Sequence, residues 1–89
     1  MADIEKLLSE RGNRYGIFAH QANIAQELKE IIHTRPKYHH LMDDQKEALD
    51  MIAHKIARIL NGDPGYADSW DDIAGYAQLV SNRLKGNFL

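Results

Sequence analysis

Apolar residues recur along the chain every three or four positions, the spacing of one face of an α-helix. Ile4, Leu7 and Leu8 open the pattern, with Asp3 placed to cap the N-terminus and Gly12 placed to stop the helix, which predicts a first helix over about 3–10. GNRYG, residues 12–16, then reads as a turn. Phe18, Ala22, Ala25, Leu28 and Ile32, widened by Ile24 and Ile31, predict a second helix from about Ile17 to His33. Pro36 blocks its continuation and turns Arg35 toward extended backbone, so TRPKYHH reads as a loop. A third helix is expected from about Asp43, its N-cap, to Leu60, stopped by Asn61 and Gly62. Its apolar arc holds Ala48, Leu49, Ile52, Ala53, Ile56, Ile59 and Leu60 and covers nearly half the circumference, as in a central helix with more than one neighbour. After the linker NGDPGYAD, Trp70, Ile73, Ala74, Ala77, Val80 and Leu84 share one face of a fourth helix over about Ser69 to Lys85. No segment alternates apolar and polar residues as a strand does. The expected fold is all-α, a small bundle of three main helices plus a short N-terminal one, in a single domain over residues 1–89.

Composition narrows the classes of function. The chain has 89 residues, 44% hydrophobic and 27% charged, the balance of a folded soluble domain. A core this small, with the apolar Phe88–Leu89 tail and a glycine at mid-helix position 75, points to a homo-oligomer. The absence of cysteine excludes a disulfide scaffold, a thiolate zinc site and a cysteine nucleophile, and suits a reducing compartment. MADIEKLL is charged from its third residue, unlike a signal peptide, and no apolar run is long enough to span a membrane, so a cytoplasmic protein with no membrane partner is expected. A net charge of −2 argues against general nucleic-acid binding. Within that balance, Arg11–His20 and Ile31–Met42 carry basic residues and no acid, a local field suited to a small anion.

Four groups of residues could carry chemistry. Lys55 and Arg58 lie three apart at the edge of the third helix's apolar arc, where they could hold a phosphate, or could snorkel to water or pair with acids on a neighbouring helix. Asp68, Asp71 and Asp72 crowd the start of the fourth helix. They complement the helix dipole, with Asp68 or Ser69 as the cap, or they offer hard oxygens to a divalent ion. Gly75 in mid-helix suggests a close approach by another helix, a partner chain or a ligand. Glu27 and Glu30 could join Asp68 and Asp72 in a four-carboxylate magnesium cluster, or simply be a solvated face. Tyr15 in the basic turn and Tyr76 on the fourth helix could cover a base, or be packing residues with a wet hydroxyl. The five histidines form no metal-site spacing.

Three blocks occur together: Arg11-x-x-x-Tyr15-Gly16 with Phe18, then Lys55-Ile-Ala-Arg58-Ile, then Asp68-Ser-Trp-Asp71-Asp72-Ile-Ala-Gly-Tyr76-Ala. Over roughly residues 10–85 their order and spacing resemble a family of small α-helical proteins of bacteriophages and prophages. Asp72-Ile-Ala-Gly-Tyr76 also resembles, more distantly, the second metal-binding helix of the MazG-like all-α nucleoside triphosphate pyrophosphohydrolases. In that family two acidic pairs on neighbouring helices bind magnesium. Glu27 and Glu30 could match the first pair, with Gln26 where a further glutamate is usual, and Ser69 stands where the second pair needs an acid.

The resemblance implies a phage-encoded protein in the cytoplasm of the infected host. The expected function is non-catalytic nucleotide binding that sequesters a nucleotide immune signal in the service of anti-defence. No cofactor is expected. The alternatives are a MazG-like pyrophosphohydrolase, which would require magnesium, and an interaction module that inhibits a host protein. The expected nucleotide site takes Arg11 and Arg14 from one side and Lys55 and Arg58 from the other. Tyr15 or Tyr76 covers the base or sugar, and Asp72 orients an arginine or the ligand.

Overall fold

The computed structural model describes residues 2–88. Four helices run in order: α1 (Ala2–Tyr15), α2 (Phe18–His33), α3 (Asp43–Asn61) and α4 (Ala67–Leu84), with a single 3₁₀ segment at Pro36–His40. No strand occurs among the described residues. α2 and α4 both pack along α3, and α1 meets α2 and α3 more sparingly. The broad arc of α3 is thus the arc of a central helix.

Several boundaries differ from the sequence expectation, each for a local reason. α1 does not stop at Gly12. It continues to Tyr15, and the Gly16 N–H donates to the Gly12 carbonyl at 2.9 Å. A glycine inside a helix weakens it by about 1 kcal/mol without barring it. The stop falls at Gly16, whose φ of 78° lies in the left-handed region. Met42, not Asp43, occupies the N-cap position of α3, and its N–H donates to Gln45 Oε1 at 2.8 Å. Tyr66 occupies that position for α4, so neither Asp68 nor Ser69 is the cap. Asp68 instead accepts the Tyr66 hydroxyl at 2.9 Å, and Ser69 is buried. The segment read as a loop holds the 3₁₀ turn, which His33 and Tyr38 tie to α3. His33 Nε2 is 2.6 Å from Asp50 Oδ1, and the Tyr38 ring lies 4.8 Å from the His33 ring.

The interior is built of small side chains. Ala25, Ala48, Ala53 and Ala57 are its buried apolar residues, joined by the polar Gln21, Lys55 and Ser69. Among the described residues no large side chain is fully buried. At the end of the chain Phe88 is exposed, and Leu89 of the expected tail lies outside the described residues. No helix is long and apolar enough to cross a membrane among the described residues.

Candidate functional site

The candidate site is set by a clamp between the α1–α2 turn and the C-terminal end of α3. Asn61 Nδ2 donates to the carbonyls of Tyr15 and Ile17, at 2.8 and 2.9 Å. The Asp63 N–H donates to the Arg14 carbonyl at 2.6 Å. The two backbones approach so closely that both contact points must be glycine. A Cβ on Gly16 would strike the Asn61 carbonyl, and one on Gly62 would strike the backbone of Arg14 and Tyr15. The next loop is also held in place. The Gly65 N–H donates to Asp63 Oδ1 at 2.9 Å and Trp70 Nε1 to the Pro64 carbonyl at 2.8 Å.

Above this clamp, cations and rings form a row. The Arg58 guanidinium lies 4.1 Å from the centre of the Tyr15 ring. Tyr15 meets Tyr66 edge-on at 6.1 Å, and the Arg14 guanidinium lies 4.7 Å from the Tyr66 ring. Such contacts fix guanidinium groups by attraction to the ring face while leaving their N–H edges free for acceptors. Arg58 Nε is buried and has no acceptor among the described residues. Beside it opens a cavity of about 440 Å³, whose wall includes Leu8, Arg11, Tyr15, Phe18, Gln21 and Arg58. Gln21 is buried, with its amide nitrogen 3.5 Å from His54 Nε2. Burial first, then the charges of Arg58, Lys55 and Lys29, hold His54 below the usual histidine range.

The structure therefore gathers Arg11, Tyr15 and Arg58 at one cavity and places Arg14 one ring away. Lys55 goes elsewhere. It is only 9% exposed, does not line the cavity, and pairs with Asp72 on α4 at 3.0 Å. Asp72 is thus partnered by a lysine rather than by an arginine of the site. Tyr76 shares an opening of about 310 Å³ with Asp71, Asp72 and Gly75, and also lines an apolar cavity of about 350 Å³ with Asp44, Leu79, Val80, Arg83 and Phe88; neither is lined by Arg11 or Arg58. In the apolar cavity Arg83 grips Asp44 through two hydrogen bonds of 2.7 and 2.6 Å, which hold the Asp44 carboxyl below its ordinary range. Among the described residues no other element comes within 4 Å of where a Cβ on Gly75 would sit, so no neighbouring helix accounts for it. The carboxylates do not assemble either. Among the described residues no group of three or more His, Asp or Glu side chains could hold a metal ion, so Glu27 and Glu30 on α2 are not joined to Asp68 and Asp72 on α4.

Sequence reasoning missed Gln21, Asn61, Gly62 and Tyr66. Gln21 had a legible signal, a polar residue three after Phe18 and four before Ala25 in the apolar register of α2. Asn61-Gly62 reads equally well as a plain helix stop, which concealed the clamp.

These features can be set beside known families. The model of a family described as a domain of unknown function, DUF6378, matches residues 1–84. The chain belongs to this family. The DUF6378 match takes in all four helices, including the clamp and the cation–ring row. Neither a curated protein nor a solved structure matches the chain. The DUF6378 description names no activity, so the phage and MazG-like resemblances gain no support from it.

Proposed function

We propose that this DUF6378 protein is a non-catalytic binder of a nucleotide or nucleotide-derived small molecule, seated at the cavity between the α1–α2 turn and α3. The observation that carries this reading is Arg58 Nε, a buried donor with no acceptor among the described residues, on a side chain that lines the cavity. Leaving such a group unsatisfied costs roughly 1–3 kcal/mol, and a turn of the side chain that brings Nε to the cavity would let a phosphate oxygen satisfy it. Arg11 supplies a second cation on the same wall, and Arg14 adds positive potential nearby. Phe18, 71% exposed at the rim, offers an apolar face to a base. A volume of about 440 Å³ is in the range of small-molecule sites. Among the described residues no carboxylate lines the cavity, which favours binding over magnesium-assisted hydrolysis. The finer setting rests on the resemblance described above. In that setting a phage protein, working as a homo-oligomer in the host cytoplasm, sequesters a nucleotide immune signal.

Thermal-shift screening against linear and cyclic nucleotides, with and without magnesium, tests the reading. A ligand at a hundred times its Kd adds about 2.7 kcal/mol of stability. In a domain of this size that raises Tm by roughly 10–20 °C. The ligand should be recovered unchanged. Turnover would instead support the pyrophosphohydrolase, and the absence of any shift would contradict nucleotide binding.

A further inference from the structure

The least supported element of the fold is α1. Every residue from Asp3 to Arg14 is exposed. Ile4, Leu7 and Leu8, at helical spacing on this element, are respectively 54%, 45% and 61% exposed. An isolated helix of about this length is marginal in water, because most helix stability in proteins comes from packing an apolar face. The surface area shows that the shortfall is large. The chain exposes 6487 Å². A compact monomer of 10.2 kDa would expose about 5,300 Å². The excess of about 1,200 Å² by that scaling exceeds the 800 Å² or so that each partner gives to a standard interface. The radius of gyration, 15.0 Å, also exceeds the value of about 12 Å for a compact domain of this length.

The charge pattern of α1 indicates what covers it. Its first half carries Asp3 and Glu5 against Lys6, a net negative charge, and its second half carries Arg11 and Arg14 against Glu10, a net positive charge. Two copies of this helix laid antiparallel, with their midpoints at Leu7 and Leu8, bring apolar side chains together at the centre. The same arrangement sets the net negative half of each copy beside the net positive half of the other. A two-fold interface requires this self-complementarity. We infer that α1 is a dimerisation helix that pairs antiparallel with α1 of a second copy around Leu7 and Leu8. Ile4 completes the apolar centre from either side. Leu8 borders the candidate nucleotide cavity as well as this seam, whereas Ile4 and Leu7 do not line the cavity, so substitutions at those two positions test the seam without altering the cavity wall.

Light scattering and crosslinking test it together. The wild-type chain should show the mass of at least two chains at micromolar concentration. The double substitution Ile4→Glu/Leu7→Glu should reduce that mass to one chain. Because the chain has no cysteine, Leu7→Cys is a clean reporter. Under oxidation it should form a covalent dimer through residues that face each other across the two-fold axis, whereas Leu84→Cys on the exposed side of α4 should not. The crosslink keeps the test decisive even if the double variant folds poorly. A wild-type monomer would overturn the proposal and leave this face to a different protein. So would an oligomer that survives Ile4→Glu/Leu7→Glu, or one that crosslinks through Leu84→Cys and not Leu7→Cys.

Discussion

Lys55 and Arg58 sit three residues apart on the same helix, and both carry a positive charge at the margin of an apolar arc, yet their surroundings differ in kind. Lys55 faces α4 and meets the carboxylate of Asp72 at 3.0 Å. Arg58 faces the α1–α2 turn and meets the ring of Tyr15. A carboxylate neutralises a cation and occupies its donors, whereas an aromatic face steadies a guanidinium and leaves its hydrogen-bonding edge open. One neighbourhood is electrostatically closed and the other has an unfilled donor beside a cavity. Adjacent cations on a helix therefore end with their donors taken or unfilled according to what the next element presents to them.

The strongest way to break this difference is to remove the geometry that brings Tyr15 to Arg58. Gly62→Ala places a methyl group against the backbone of Arg14 and Tyr15, which cannot move aside as a flexible side chain would. A destabilisation on the order of 3 kcal/mol is expected, read by urea unfolding. Asn61→Ala is milder. It deletes two hydrogen bonds to the turn, each worth about 0.5–1.5 kcal/mol, so a loss of roughly 1–3 kcal/mol is expected. It should also loosen the turn enough for amide exchange at Ile17 and Phe18 to quicken.

His54 precedes Lys55 and lies one turn before Arg58, and its titration gives a smaller, pH-dependent effect. Its folded pKa is depressed below the ordinary value of 6.5. Below about pH 6.5 the unfolded chain therefore binds more protons than the folded one, and stability falls as pH drops toward the folded pKa. Above that window the contribution is present in full. Tm should decline as pH is lowered from about 7.5 to about 5.5, and His54→Gln should flatten the decline. A bound phosphate at Arg58 would flatten it too, by offsetting the positive charge that helps depress His54. The smallest effect belongs to the Lys55 side. Gly75→Ala, one turn past Asp71 in space free of neighbouring atoms, should stabilise the chain by up to about 1 kcal/mol and leave nucleotide affinity unchanged.

The four helices and their order were legible because apolar spacing, Pro36 and the Asn61-Gly62 stop depend on local chemistry. The end of α1 was not. Gly12 and Gly16 are equal candidates in the sequence, and the choice between them is made by the end of α3, 45 residues away from Gly16 at Asn61. In the site, Arg11, Tyr15 and Arg58 could be nominated from a basic turn and a helix margin. The pairing of Lys55 with Asp72 could not be distinguished from a shared phosphate site, because it depends on the rotation of α4 against α3. Tyr76 illustrates the same limit. Its place four residues after Asp72 does put the two on one opening, yet that opening and the cavity of the Asp44–Arg83 pair both lie apart from the wall that holds Arg11 and Arg58.

The central claim is that Arg58, and not Lys55, presents donors to a phosphate-bearing ligand. Isothermal titration of the nucleotide with the largest thermal shift, against wild type, Arg58→Ala and Lys55→Met, tests it directly. A charge-assisted hydrogen bond is worth roughly 1.5–3 kcal/mol, so Arg58→Ala should weaken binding about tenfold or more while the helical spectrum is retained. Lys55→Met should bind as wild type does and show its effect in Tm alone. Equal losses in both variants, or binding that survives Arg58→Ala and fails in Lys55→Met, would contradict the account.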